Sequence, residues 1–301
     1  MRYPPSRPPS FRDGVEQSEL SLRGIRARAF SFRDGLVDPA RALVCIAGMG
    51  ADGRSFVRQR PLARDRWLLP LNLPYETPRD AEPLEFAAEV VEEYVLHERL
   101  VHPALLGSSF GGAVVALVAL RGNVRPSALV LAGPVLSRKQ IPFATTRFVD
   151  LLEAPEPLAR LVSPIAAQVM GGFALDRDGR DELVREARHF TGRELKRRLV
   201  ALMKMDLTPR LSALDLPVLV LHGSRDWLVP WRSSKRIAAS IPGSRFELIE
   251  RAGHVPYLSN PEPFNEAVQR FLENVDRRRA ARAAEPDRAD ADRRPPPRGG
   301  P

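Results

Sequence analysis

A serine flanked by glycines lies in the run Gly107-Ser108-Ser109-Phe110-Gly111, with the spacing of a nucleophile held on a tight turn. The run joins a short apolar stretch of strand type, Pro103 to Leu106, to a small apolar stretch typical of a buried helix, Gly111 to Leu120. A chain that reverses from strand to helix at one residue strains that residue's backbone, and the two glycines leave the space that the turn needs. The hydroxyl of Ser109 would then stand above the strand end, in a position to attack a carbonyl carbon.

The residue after this serine adds an electrostatic group to the turn. The amide N–H of Phe110 falls at the N-terminus of the predicted helix, where a developing negative oxygen is stabilised. Alone, the Gly-x-Ser-x-Gly pattern is weak, because glycine and serine are common residues. The strand before it and the helix after it supply the context that such a turn requires.

Two polar residues downstream supply the other groups that a serine nucleophile needs. A serine hydroxyl is a poor nucleophile near neutral pH unless a base takes its proton, and the base needs a partner that orients it. Asp226 follows the apolar run 217–221, and His254 follows the apolar run 245–249. Since the carboxyl ends of parallel strands meet at one edge of a sheet, we expect both side chains to lie near Ser109.

The elements that must position these residues alternate between strand and helix from residue 42 onward. This alternation predicts a mostly parallel sheet with right-handed crossovers, flanked by helices. A hairpin of two edge strands is predicted at 18–32. The further strands are predicted at 42–47, 67–73, 103–106, 127–132, 217–221 and 245–249, and the helices at 81–100, 111–120, 231–239 and 261–275.

The alternation stops between residues 137 and 212, where the patterns are helical and no strand is convincing. We interpret this region as an all-helical lid inserted late in the sheet, between two parts of the core at 17–136 and 213–276. The lid helices are predicted at about 144–153, 158–170, 179–190 and 192–205.

Apolar side chains of the lid and of the turn near Asp226 are candidates for contact with an apolar substrate. Packing between helices explains them equally well. His222, at a strand end, is predicted to make a structural hydrogen bond. The candidate substrate residues are Phe143, Phe148, Met170 and Phe173 in the lid, and Trp227 and Trp231 beside the turn.

The net charge of +9 is concentrated at the two ends of the chain. Residues 277–301 carry eight arginines and four acidic residues, and residues 1–12 carry three arginines and no acid, so the remainder is close to neutral. We expect disordered tails at 1–16 and 277–301 and no nucleic-acid partner. The alternative is an arginine-rich tail that contacts an anionic polymer or a membrane.

Other classes of site are disfavoured by composition. The chain has one cysteine, Cys45 within an apolar run, which excludes an internal disulfide. Since no apolar run approaches 18 residues and no secretory segment is present, we expect a cytoplasmic protein. We predict no metal site, and the glycines at 48, 50 and 53 lack the acidic residue of a dinucleotide-binding loop, so no cofactor is expected.

Taken together, these motifs resemble those of the α/β-hydrolase fold superfamily. The matching segments are the serine turn 107–111, the acid turn 223–226 followed by Val229-Pro230, and the loop Gly253-His254. The resemblance extends over about residues 18–275 and matches the lid only in position.

The resemblance implies a role for each candidate residue. Ser109 would be the nucleophile, His254 the general base and then acid, and Asp226 the carboxylate that orients the imidazole. The backbone N–H groups of Met49 and Phe110 would form the oxyanion hole. Activity is expected to rise near pH 6 to 7, because an unperturbed histidine has a pKa of about 6.5.

The function expected on this basis is that of a serine hydrolase acting on a small or medium ester or thioester with an apolar acyl part, through an acyl-enzyme. A serine nucleophile argues against haloalkane dehalogenase and epoxide hydrolase chemistry, where relatives use an aspartate. C–C bond hydrolysis, haloperoxidase-like perhydrolysis and acyl transfer to an alcohol use the same three residues and stay open. A hydrolase-like protein that binds a ligand without turnover is the alternative from another class.

Overall fold

The computed structural model describes residues 16–32, 38–142, 153 and 165–284, and one eight-stranded sheet runs through them. The strand order is β1-β2-β4-β3-β5-β6-β7-β8; β1, β2 and β4 are joined by antiparallel pairing, and every other neighbouring pair is parallel. The strands are β1 (Glu16–Leu22), β2 (Ile25–Ser31), β3 (Ala42–Ile46), β4 (Trp67–Asn72), β5 (Ala104–Ser108), β6 (Ala128–Ala132), β7 (Val218–Gly223) and β8 (Arg245–Ile249).

The central strands β3, β5, β6 and β7 are buried along their whole length, which is why they read as continuous apolar runs rather than alternating ones. Their register aligns the carboxyl ends. Ile46 pairs with Gly107, Ser108 with Ala132, and Ala132 with Leu221. The loops that carry the predicted site residues therefore leave the sheet at a common edge.

Helices cover both faces of the sheet. One face packs against α1, α2 and α5, through side chains such as Val91, Val114 and Ile237. The other packs against α7 and the 3₁₀ turns of Gly53–Arg64, through side chains such as Phe264. The helices are α1 (Pro83–His97), α2 (Phe110–Arg121), α3 (Arg177–Ala187), α4 (Gly192–Lys204), α5 (Trp231–Ala239), α6 (Pro256–Ser259) and α7 (Pro261–Ala284).

The described residues of the predicted lid include three α-helical segments. Residues 165–171, α3 and α4 lie between β6 and β7, and the β contact found there is one isolated bridge between Ser137 and Asp206. Of the helix predicted at 144–153, only Glu153 is described. The candidate substrate residues Phe143 and Phe148 lie outside the described residues.

Two expectations about the ends of the fold are wrong. The last helix continues to Ala284, so residues 277–284 are helical rather than part of a disordered tail. Alanine and arginine are strong helix formers, and extending an existing helix needs no new nucleation. In the hairpin, only β1 is at the edge, because β2 also pairs with β4.

Within the described part of the chain, no helix is both long and apolar enough to cross a membrane.

Candidate active site

Ser109 is the strained residue that the glycine spacing predicts. It lies between β5 and α2 with φ 50° and ψ −112°, a region that residues with a side chain rarely occupy. A Cβ atom on Gly107 would lie 2.2 Å from the carbonyl oxygen of Gly111, and one on Gly111 would lie 2.3 Å from that of Ile46. The turn thus requires glycine at both positions because main chains approach each other closely there.

The two adjacent serines differ in accessibility. Ser109 is partly exposed, whereas Ser108 is fully buried as the last residue of β5. The amide of Ser109 donates to the carbonyl of Ala132 at 3.0 Å, which ties the turn to the end of β6. Only Ser109 of this pair is placed to meet a substrate.

Asp226 is buried in the turn after β7, and each of its two carboxylate oxygens contacts nitrogen atoms. Oδ1 accepts the backbone N–H groups of Leu228 at 2.8 Å and Val229 at 3.0 Å. Oδ2 lies 2.7 Å from His254 Nδ1 and 2.9 Å from His222 Nε2. Burial by itself would raise the pKa of Asp226, but the charge and hydrogen bonds of the two imidazoles lower it well below its usual range.

The main chain of the predicted lid contacts the main chain of His254 and of the residue before it. Its N–H donates to the carbonyl of Met170 at 2.6 Å, and a Cβ atom on Gly253 would lie 2.4 Å from the carbonyl carbon of Gly171. Burial by itself would lower the pKa of His254, but the charge of Asp226 and its hydrogen bond outweigh burial and raise it. The structure therefore places an oriented, more basic imidazole beside the buried carboxylate.

The end of β6 connects this imidazole with the serine turn. The carbonyl of Ala132 accepts the amide of Ser109, and a Cβ atom on the next residue, Gly133, would lie 3.4 Å from His254 Nδ1. Ser109 and His254 thus contact neighbouring residues of one turn at the edge of the sheet, although they are 145 positions apart along the chain.

The two predicted oxyanion donors flank the serine. Phe110 is the first residue of α2, so its N–H lies at a helix N-terminus. The loop after β3 lies on the other side, where a Cβ atom on Gly48 would be 3.3 Å from Ser109 Cβ. Met49 follows in that loop and packs against the core. Phe110 and the loop that carries Met49 thus lie beside Ser109, and the role of their N–H groups as oxyanion donors stays a prediction.

The candidate substrate residues fall into different environments. Phe173 and Trp227 are exposed, at 72% and 56%, and their rings meet edge to face at a centroid distance of 5.2 Å. Trp231 instead stacks on Phe246 of β8, at 6.4 Å. Met170 contributes its carbonyl to His254, and its side chain packs on the core.

Sequence analysis did not predict that α4 lies beside Phe110 at the start of α2. The guanidinium of Arg198 lies 5.5 Å from the ring centroid of Phe110, and its Nε donates to Glu194 at 2.8 Å. A Cβ atom on Gly50, in the loop after β3, would lie 3.5 Å from Leu195. The four-residue spacing of Glu194 and Arg198 was the available signal, but such pairs usually lie on exposed helix faces.

Among the described residues, no group of three or more His, Cys, Asp or Glu side chains is arranged to hold a metal ion.

Comparison with known proteins identifies related sequences over most of the chain. The profile of the alpha/beta hydrolase family matches residues 43–267. A "Putative carbamate hydrolase RutD" from Cronobacter sakazakii is 31% identical over 256 residues, which cover 78% of this chain and 92% of the relative. A "Pimeloyl-[acyl-carrier protein] methyl ester esterase" from Neisseria meningitidis is 25% identical over 271 residues, covering 81% and 98%.

Two further comparisons cover very different shares of the proteins compared. A "Putative carbamate hydrolase RutD" from Pseudomonas savastanoi is 35% identical over only 85 residues, and the chain covers 33% of that relative's length. The crystal structure of a bromoperoxidase from Bacillus anthracis superimposes with a TM-score of 0.76 at 20% identity, covering 86% of this chain and all of that one. At this identity the structural likeness establishes the fold.

Proposed function

The chain belongs to the alpha/beta hydrolase family, and from that premise we propose that it is a serine hydrolase of small or medium esters or thioesters with an apolar acyl part. The observation that carries the proposal is the 2.7 Å contact between His254 Nδ1 and Asp226 Oδ2, at the sheet edge where Ser109 sits on its strained turn. An oriented base beside a strained serine is what acyl transfer requires.

In the proposed reaction, Ser109 Oγ attacks the carbonyl carbon and its proton passes to His254 Nε2. Asp226 stabilises the resulting imidazolium, and the N–H groups of Phe110 and Met49 stabilise the oxyanion. Collapse breaks the bond to the alcohol or thiol, which leaves with the proton from His254. Water, deprotonated by the same imidazole, then attacks the acyl-enzyme and releases the acid and Ser109.

The relatives support this reaction class by their names. One is named as a methyl ester esterase and another as a carbamate hydrolase, and both names describe cleavage at an acyl carbon. The exposed aromatic pair Phe173–Trp227, beside Asp226, supports an apolar substrate group. C–C bond hydrolysis, perhydrolysis and acyl transfer would use the same residues, and the cytoplasmic location stays a prediction.

A fluorophosphonate probe tests the nucleophile directly, because it forms a covalent bond only with an activated serine. We expect labelling of the wild-type protein, loss of labelling in Ser109→Ala, and retained labelling in the matched control Ser108→Ala. Ser109→Ala should also lower kcat by about 10⁶. A folded wild-type protein that does not react would favour the ligand-binding alternative.

Product analysis separates the chemistries that share these residues. A series of p-nitrophenyl esters of increasing acyl length would define the preferred acyl group. Release of the free acid in water alone supports hydrolysis, whereas product formation that needs an alcohol or hydrogen peroxide supports acyl transfer or perhydrolysis.

A further inference from the structure

A second imidazole contacts the carboxylate that orients His254. His222, in β7, has 0% exposure, and its Nε2 lies 2.9 Å from Asp226 Oδ2 and 2.9 Å from the carbonyl oxygen of Val229. Asp226 Oδ2 is thus contacted by two ring nitrogens, the other being Nδ1 of His254. The general account of a serine nucleophile, base and acid needs only one imidazole.

The contacts of His222 fix the position of its hydrogen. Both neighbours of Nε2 are acceptors, so Nε2 carries the hydrogen and shares it between the carbonyl of Val229 and the carboxylate of Asp226. Nδ1 is buried and has no hydrogen-bond partner among the described residues. A hydrogen on Nδ1 would therefore lack an acceptor, and the geometry selects the Nε2–H tautomer.

We propose that His222 is a positioning residue for the reaction: its Nε2–H holds the carboxylate of Asp226 in place and limits the negative charge that Oδ2 offers to His254. This inference rests on the proposed function, which assigns Asp226 and His254 their roles. A carboxylate oxygen that receives a second hydrogen bond is a weaker acceptor for the first donor. His222 thus keeps the imidazolium of His254 from becoming too stable to release its proton.

In the part of the chain that the structure describes, the charges that act on Asp226 are those of the two imidazoles, and the charge that acts on His254 is that of Asp226. From β8, the residue paired with His222 is Leu248, and the lid approaches His254 through main-chain atoms of Met170 to Gly172. The arginines next to the two turns, Arg225 and Arg251, are exposed to solvent.

Two substitutions separate hydrogen bonding from packing. His222→Gln places an amide N–H close to the position of Nε2 and should preserve the contact. His222→Leu fills a similar volume without a donor. The matched control is His102→Asn, a substitution of an exposed histidine that contacts the carbonyl of Arg125 in the loop before β6.

In His222→Leu we expect the pKa of His254, followed by NMR of ring-labelled histidine, to move upward by about half a pH unit. The acid limb of kcat/KM should move with it, which lowers activity about threefold at low pH. His222→Gln and His102→Asn should keep the wild-type limb. An unmoved pKa in folded His222→Leu, or a His222→Gln variant as altered as His222→Leu, would overturn the proposal.

The NMR readout keeps this test separate from the proposed function. If the protein turns over no ester, the titration of His254 still reports on His222. If His222→Leu does not fold, the nitrogen shifts of wild-type His222 decide: the Nε2–H tautomer supports the inference, and an Nδ1–H tautomer contradicts it.

Discussion

At the scale of single residues, the site depends on groups held in positions that would be unfavourable elsewhere. Ser109 has a positive φ, and Asp226 is an ionised carboxylate with 8% exposure. Each is compensated locally, the serine by the space at Gly107 and Gly111 and the carboxylate by its hydrogen-bond donors. Such compensation makes the chemistry sensitive to small changes in these contacts.

The first prediction concerns pH. In the proposed reaction His254 must be neutral to accept the proton of Ser109. Burial by itself would lower the pKa of His254, but the charge and the hydrogen bond of Asp226 outweigh burial and raise it. We therefore expect kcat/KM to rise with pH through a midpoint above the reference value of about 6.5, rather than at it. A profile measured from pH 5 to 9 on an ester whose hydrolysis is not diffusion-limited checks this. A midpoint at or below 6.5 would contradict the structural reading.

The second prediction concerns substrate selection. Trp227 is exposed next to Asp226 and pairs with Phe173, so Trp227→Ala removes apolar surface that we assign to substrate contact. We expect kcat/KM to fall about tenfold for long acyl chains and little for acetate esters, corresponding to about 1.4 kcal/mol of apolar contact. Trp231→Ala is the comparison, because that ring packs on Phe246. Equal losses for all chain lengths would argue against a substrate role.

At the scale of elements, side chains of α3 and α4 form hydrogen bonds with the loops that follow β3 and β4. Arg197 donates to three main-chain carbonyls of the segment after β4, at 2.7, 2.9 and 2.8 Å. In α3, the buried carboxyl of Glu186 accepts the N–H of Asp52, and burial together with the nearby Asp52 raises its pKa well above its usual value. The described part of the predicted lid is therefore hydrogen-bonded to the loops after β3 and β4.

The third prediction tests this attachment through the buried pair Glu194–Arg198. Both side chains are almost inaccessible, so removing Arg198 takes the nearest ion-pair partner from the buried Glu194, which keeps Arg197 at 3.5 Å. Arg198→Met should lower the free energy of unfolding by about 3 kcal/mol, and Glu194→Met combined with it should cost less than the sum of the single changes. Urea denaturation measures this cycle, and Arg193→Met, on the exposed face, is the control. An additive cycle would show that the pair is not coupled.

At the scale of the whole molecule, the last helix, α7, extends beyond Val275, the residue at which the sequence predicts its end. Asp276, in α7, pairs with Arg66 at 2.7 Å and with Arg41 at 3.0 Å, and the side chain of Arg66 is 4% exposed. Burial lowers the pKa of Arg66, against the raising effect of Asp276. These ion pairs thus attach α7 to the residues that directly precede β3 and β4.

The fourth prediction uses two truncations. A chain ending at Ala284 keeps every element that the structure describes, and we expect its unfolding free energy to stay within about 0.5 kcal/mol of the full chain. A chain ending at Val275 loses Asp276 and should be less stable by about 2 kcal/mol, because buried Arg66 loses its partner. Asp276→Asn in the full chain should reproduce most of that loss. Full stability of both truncations would contradict the role of Asp276.

The truncation at Val275 also tests the expectation about nucleic acid. Removal of residues 276–301 takes away eight arginines and five acidic residues. If the full chain bound DNA with steep salt dependence and the chain ending at Val275 did not, the arginine-rich end would have a partner after all.

The sequence by itself determined the strands, the serine turn and the order of the three candidate catalytic residues. These are local signals: a fully buried strand is a continuous apolar run, and a strained turn leaves its mark in the glycines on either side. The tertiary structure decided which distant groups meet. It placed Arg198 beside Phe110 and Asp276 on Arg66, because such contacts join residues far apart along the chain and leave no periodic trace in a single sequence. It also placed His222 against Asp226, four residues further on, because the turn after β7 folds back on the strand.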